Sequence, residues 1–225
     1  MISSLESSDE AVSKPVVILE TLLALALSSG CATTIHVPAA AVEPAAAVVV
    51  THGISSSLIL PNADGAAFRW AFGDWRYYAE GHTGFFSSIA AGLWPTPAAL
   101  GRQTIERAPR DPVALAGALG IVIDEIHVIH VERQAIERLQ RRLQTTFERG
   151  LDSRLYNPEP NLEFVRVPLS YTLLSNSNTQ IGDWLRELGC DVSGFPLLAR
   201  WRIRGKAADG LRDRDDRGTN APQLE

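Results

Sequence analysis

Between Val131 and Arg149 apolar and charged positions alternate with the period of an α-helix. Ala135, Ile136, Leu139, Leu143, Thr146 and Phe147 fall on one stripe. Arg133, Glu137, Arg138, Arg141 and Arg142 take the opposite side, where i,i+4 pairs can form. The spacing therefore predicts an amphipathic helix ending at Gly150. A shorter helical pattern follows the polar loop that starts at Leu173. Ile181, Trp184, Leu185 and Leu188 share a face, Asp183, Arg186 and Glu187 point away, and Gly189 stops the turn. At its start, Ser177 and Gln180 have the S-x-x-Q spacing of a capping box. The same place, a helix N-terminus with unpaired N–H groups, is where many enzymes hold a nucleophile.

Runs of β-branched residues predict strands. Ala47–His52 and Leu58–Leu60, joined by Gly53–Ser57, predict a hairpin over Val48–Leu60. Phe68–Tyr78 is aromatic-rich around Gly73–Asp74 and reads as a core corner, or as the floor of a pocket. Gly84–Gly92 reads as a short helix, and Leu93–Leu100, with Pro95 and Pro97, as a rigid loop or hinge. Val122–Val128 and Phe164–Val167 read as strands, Asp191–Gly194 as a turn, and Phe195–Ile203 as a last apolar packing segment. The expected fold class is α+β: a small, mainly antiparallel sheet packed by the helices at 131–149 and 178–188.

The amino terminus follows another logic. Leu22–Leu27 is an apolar run too short to span a bilayer, and Ser28, Ser29 and Gly30 lead from it to Cys31. This resembles a bacterial lipoprotein signal in which Cys31 is lipidated. Ser28 stands where leucine is usual, and Glu6, Asp9 and Glu10 stand where a basic segment is expected. The bland alternative is a short buried helix. The predicted organisation is a signal over 1–31, a tether over 32–47, a single α+β domain over 48–203 and a disordered tail over 204–225. A membrane partner through the lipid anchor and an outer-membrane location facing the periplasm follow from the resemblance to lipoproteins.

Charge and composition narrow the chemistry. The net charge of −5 gives no electrostatic case for nucleic acid. Cys31 and Cys190 can make neither a disulfide framework nor a four-cysteine zinc site. His127 and His130 are three apart at a strand end, so they do not present two metal ligands on one face. No nucleotide-binding fingerprint, P-loop or G-x-S-x-G elbow is present. No cofactor or metal is predicted. His82, in the turn Gly81–Gly84, is a candidate polar site residue.

Four segments carry a family resemblance: Thr51–Pro61 (THGISSSLILP), Phe72–Tyr78 (FGDWRYY), Leu93–Pro97 (LWPTP) and Leu173–Gln180 (LLSNSNTQ). With the helix after Val131, they resemble an uncharacterised bacterial family often encoded near urease genes. The resemblance runs from about Val48 to Phe195. The family pattern is close to S-H-G-W-H-T-G at the first segment and N-T-C-N-T at the last. That order is in turn similar to circularly permuted papain-like cysteine enzymes, which implies a thiolate at a helix start and a histidine base. His52 matches the first histidine, and Asn178 and Thr179 match the last segment. Ser177 stands at the cysteine position and Ser55 at the second histidine position. The resemblance thus implies a cleft joining His52, Ser55 and Ser177, with the family's reactive pair lost.

Three functions follow as expectations. One is a lipid-anchored envelope protein acting by binding a small-molecule or protein partner. The second is a hydrolase or acyltransferase with Ser177 as nucleophile and His52 or His82 as base. The third is a structural envelope partner without a ligand.

Overall fold

A computed structural model describes residues 32–62, 64–81, 95–106, 112–172 and 174–205. The signal region with Cys31, the candidate His82, the predicted helix at Gly84–Gly92 and the tail from residue 206 lie outside these described residues. Among the described residues, no helix is long and apolar enough to cross a membrane.

The strands are β1 (Thr33–His36), β2 (Pro44–His52), β3 (Ser55–Pro61), β4 (Ala67–Asp74), β5 (Thr96–Ile105), β6 (Glu125–Glu132), β7 (Leu155–Asn157), β8 (Leu162–Tyr171), β9 (Asp191–Ser193) and β10 (Trp201–Arg204). The helices are α1 (Pro112–Leu119), α2 (Arg133–Arg149) and α3 (Ser177–Glu187), with one π-helical turn at Trp75–Ala79. Seven strands form an antiparallel sheet in the order β6-β2-β3-β4-β5-β8-β7. A three-stranded sheet, β10-β1-β9, pairs β1 parallel to β10 and antiparallel to β9. The fold class is α+β with a mainly antiparallel sheet, as the patterns predict. The described residues belong to one compact unit, Ala32–Glu225.

The large sheet is covered on both faces. Leu58, Trp70, Leu100 and Val165 face α2 and α3 and build the main core with Ile136, Leu139, Phe147, Trp184 and Leu185. On the opposite face, Val50, Ile59 and Ile105 pack under Leu115 and Leu119 of α1. Beside them, Ala71, Ala99 and Phe164 pack against Trp75 and Ala79. The stripe of α2 is close to the predicted one, except that Gln140 is buried and Thr146 is only half-buried.

The hairpin between β2 and β3 is tighter than expected. Its loop is Gly53–Ile54, with Gly53 at φ 60, the positive-φ first residue that a two-residue II′ turn requires. Ser55–Ser57 therefore belong to a strand. Thr96 and Pro97, expected in a loop, begin β5. Pro97 is tolerated there because the register shifts between Pro97 and Ala98, and β4 pairs only from Ala98 onward. β6 runs to Glu132 rather than ending at Val128, because it pairs with β2 along its whole length, Pro44 to Thr51.

Two expectations are corrected. The 32–47 segment is not a tether. It contains β1, whose Ile35 is fully buried in the main core, and β2 starts at Pro44. Asp191–Gly194 is not a simple turn, since Asp191–Ser193 pairs with β1. In the last apolar segment Trp201 packs, but Phe195 and Leu198 remain exposed.

Candidate functional site

Strand register sets the site. His52 pairs with Ser55 across the hairpin, Ile59 with Arg69, and Arg69 with Gln103. Alternation then places His52, Ser55, Ser57, Arg69 and Gln103 on one face of the sheet, the face that α1 and the π-helical turn cover only in part. Ser56 points the other way and accepts the indole N–H of Trp201 at 2.8 Å. A cleft of about 720 Å³ opens on the first face. His52, Ser55 and Arg69 contribute its polar wall, and Ala71, Leu162 and Phe164 part of its apolar wall.

His52 is tied to Arg69 and Ser57, not to Ser177. Its Nε2 lies 3.3 Å from Arg69 Nη2 and 3.4 Å from Ser57 Oγ. Burial, helped by the Arg69 charge, lowers the imidazole pKa to about 4, so the ring is neutral at pH 7 and accepts from the guanidinium. Asp124 steadies the hairpin by accepting the Gly53 N–H at 2.6 Å.

A second centre lies at the Tyr78 hydroxyl. It hydrogen-bonds Ser55 Oγ and lies beside the Ser177 side chain. Tyr78 stands close against the backbone of Gly73, where a Cβ would fall 2.2 Å from Tyr78 Cδ2. Asp74 caps the turn that carries Tyr78 by accepting the Tyr77 N–H at 2.7 Å, and its other oxygen accepts the Thr96 hydroxyl. Asn157 donates to the Tyr78 carbonyl at 2.7 Å. All four motif segments thus meet around one phenol: Ser55 from the first, Gly73, Asp74 and Tyr78 from the second, Thr96 from the third and Ser177 from the last. Burial, as the first cause, raises the pKa of Tyr78 and also that of Tyr171. Both phenols therefore stay protonated at neutral pH.

The start of α3 is corrected by one residue. Asn176, not Ser177, is the N-cap: its Oδ1 accepts the N–H groups of Asn178 at 2.9 Å and Thr179 at 3.0 Å. Thr179 Oγ1 accepts the Asn176 N–H at 2.8 Å, so the capping box is N-x-x-T and Gln180 plays no part in it. The S-x-x-Q and N-x-x-T spacings overlap in the sequence, and only the chain's approach to the helix selects between them. Ser177 is the first helical residue, and the Tyr171 hydroxyl lies beside its N–H. Asn176 occupies two of the first three amide donors of the helix, which leaves no open pair of N–H groups for an oxyanion there. Asn178 donates to the carbonyls of Ile54 at 2.9 Å and Leu197 at 3.3 Å, clamping the hairpin tip to α3. Asn176→Ala is expected to cost about 1–2 kcal/mol in chemical denaturation and Ser177→Ala clearly less; equal losses would restore Ser177 as the cap.

The structure brings Ser55 and Ser177 together and leaves His52 with Arg69 and Ser57. Ser177 does not line the cleft. Arg69, Tyr78 and Asn176 carry the site and were not singled out from the sequence. For Arg69 the signal was a lone charge inside the aromatic strand FRWAF. Among the described residues, no group of three or more histidine, cysteine, aspartate or glutamate side chains is placed to hold a metal ion. Cys190 is a buried free thiol, pushed up to about 11 by desolvation. Comparison with protein-family models, curated proteins and solved structures finds no match to this chain.

Proposed function

We propose that the protein is a lipid-anchored cell-envelope protein of the urease-region family in which the cysteine chemistry is lost and the fold acts by binding. The observation that carries this reading is the environment of Ser177. Its hydroxyl lies beside the protonated phenol of Tyr78, and the Asn178 and Thr179 N–H groups at its helix start are already bonded to the Asn176 side chain. A serine without a base within hydrogen-bond reach stays protonated and weakly nucleophilic.

The relation to permuted papain-like enzymes draws support from placement. Ser177, at the family's cysteine position, is the first residue of a helix, and Ser55, at the histidine position, is the first residue of a strand. Both reach the same phenol. In a reactive relative a thiol and an imidazole at these two positions would face each other.

A fluorophosphonate serine probe should therefore leave Ser177 unlabelled. The double variant Ser177→Cys with Ser55→His should react with iodoacetamide faster than Ser177→Cys alone, with a thiol pKa below the ordinary value of about 8.5. The cleft beside Ser55 leaves room for the added ring, and buried Cys190 reacts too slowly to obscure the signal. Labelling of the unmodified protein at Ser177, abolished by His52→Ala, would turn the reading to a serine hydrolase or acyltransferase.

The envelope location rests on the LLALALSSGCA segment at 22–32. Only Ala32 separates Cys31 from β1. Globomycin and Cys31→Ala should each block processing and shift the protein's fractionation. A fully soluble cytosolic product, the same under both treatments, would remove the anchor and leave the binding reading to stand on the fold.

A further inference from the structure

Arg69 is fully buried in the middle of the large sheet, on the floor of the cleft. Its acceptors are all neutral: Ser57 Oγ at 2.9 Å, Pro160 O at 2.8 Å, Gln103 Oε1 at 3.3 Å and His52 Nε2 at 3.3 Å. Burial lowers the guanidinium pKa to about 10, which still leaves it charged at neutral pH. Among the described residues no carboxylate forms an ion pair with it. Two exposed carboxylates stand near it without pairing with it: Asp124 accepts the Gly53 N–H, and Glu159 is among the residues that line the cleft. A buried cation without a counter-charge is costly to a fold and is normally paired. A guanidinium has five N–H donors, and these four acceptors leave one on Nη2 unused.

Beside this polar floor, which Tyr77, Asn157 and Glu159 extend, the cleft has an apolar inner wall of Ala71, Leu162 and Phe164, all buried. At the mouth, Ile54 on the hairpin tip and Val122 on the loop before β6 also line the cleft while remaining 74% and 85% exposed. Two aliphatic side chains held in solvent at one opening, above an unpaired cation, describe an amphiphilic ligand in outline.

We propose that this cleft binds a small carboxylic acid with an apolar body. The carboxylate is taken by Arg69, and the hydrocarbon runs along Ala71, Leu162 and Phe164 and leaves between Ile54 and Val122. The volume of about 720 Å³ suits a molecule of that class. The site deepens the binding reading above by naming its ligand chemistry. Arg69 acts by charge-assisted hydrogen bonding, stronger than the neutral bonds around it. His52, held neutral, accepts from one N–H and keeps the fork aimed at the cleft.

The test is calorimetric titration of the full chain with monomeric octanoate, octanol and octylammonium. Octanoate should saturate one site and bind at least about tenfold tighter than octanol, with octylammonium weaker still. Arg69→Gln should erase the preference for octanoate over octanol. Because Arg69 also ties four segments together, its loss threatens folding, so a second variant is placed at the exposed mouth. Val122→Glu sets a negative charge at the entrance: octanol should lose only the apolar contact, octanoate should weaken severalfold more than octanol, and the melting temperature should not move. Failure of octanoate to saturate at millimolar concentration, equal affinities for octanoate and octanol, or indifference to Val122→Glu would each overturn the anion site. The two readings fail separately: probe labelling of Ser177 overturns the binding-only function, and loss of charge selectivity overturns this ligand class.

Discussion

Ile35→Ala is expected to destabilise the protein by about 3 kcal/mol, within the range for truncating a buried aliphatic side chain. Ile35 is fully buried, sits at the centre of the three-strand sheet opposite Ile203 and Val192, and belongs to the main core. Alanine would leave a cavity that the flanking strands cannot close. Both are short and pinned by backbone hydrogen bonds, such as Thr33 N–H to Arg200 O at 2.9 Å and Val37 N–H to Arg204 O at 3.0 Å. The melting temperature should fall by about 6–12 °C for a domain of this size. The experiment also decides whether this segment is fold or linker: a flexible tether would tolerate the same substitution with no measurable change.

Gly73→Ala should cost at least as much, about 3 kcal/mol or more, and should also disturb the motif cluster. The reason is close approach rather than backbone conformation. A methyl group at Gly73 would lie 2.2 Å from Tyr78 Cδ2 and 2.8 Å from its Cγ. Relief requires the phenol ring to leave, and the ring cannot leave without breaking its bond to Ser55, giving up its place beside Ser177 and straining the Asp74-capped turn. Tyr78→Phe isolates the hydroxyl. It keeps the ring and leaves Ser55 short of one partner, for a loss of about 1–2 kcal/mol. Urea denaturation of the two variants separates ring packing from hydrogen bonding. If Gly73→Ala melts no lower than Tyr78→Phe, the close packing described here is not what glycine serves.

On the proposed family reading, Ser55 and Ser177 are the two positions that differ from the reactive pattern, and both stand beside the Tyr78 phenol. The scaffold that places them is intact: Asp74 with Thr96, Asn157 with the Tyr78 carbonyl, and Asn178 with the hairpin tip. On that same reading, hydroxyl groups fill the reactive positions while the neighbouring cleft keeps a charged floor, so binding could outlast chemistry because different side chains carry the two.

The sequence by itself determined the elements whose signal is local. The 3.6-residue period of α2, the face of α3, the β-branched runs of β2 and β3, and the α+β class are all written within a few turns of chain. It also marked Ser55 and Ser177 as positions to watch. Only the tertiary structure decided which residues those positions would meet. β1 is four residues without a run or a period, and its partners lie more than 150 residues away, so nothing nearby distinguishes it from linker. Arg69 alternates with aromatics as an outward-facing charge would, yet Ser57, Gln103, His52 and the Pro160 carbonyl close around its guanidinium and bury it. The choice of Asn176 over Ser177 as cap was open, because both carry an acceptor three residues before a polar side chain. The chain's entry into α3 settled it by aiming the Asn176 side chain at the amide donors and giving the Ser177 hydroxyl to Tyr78.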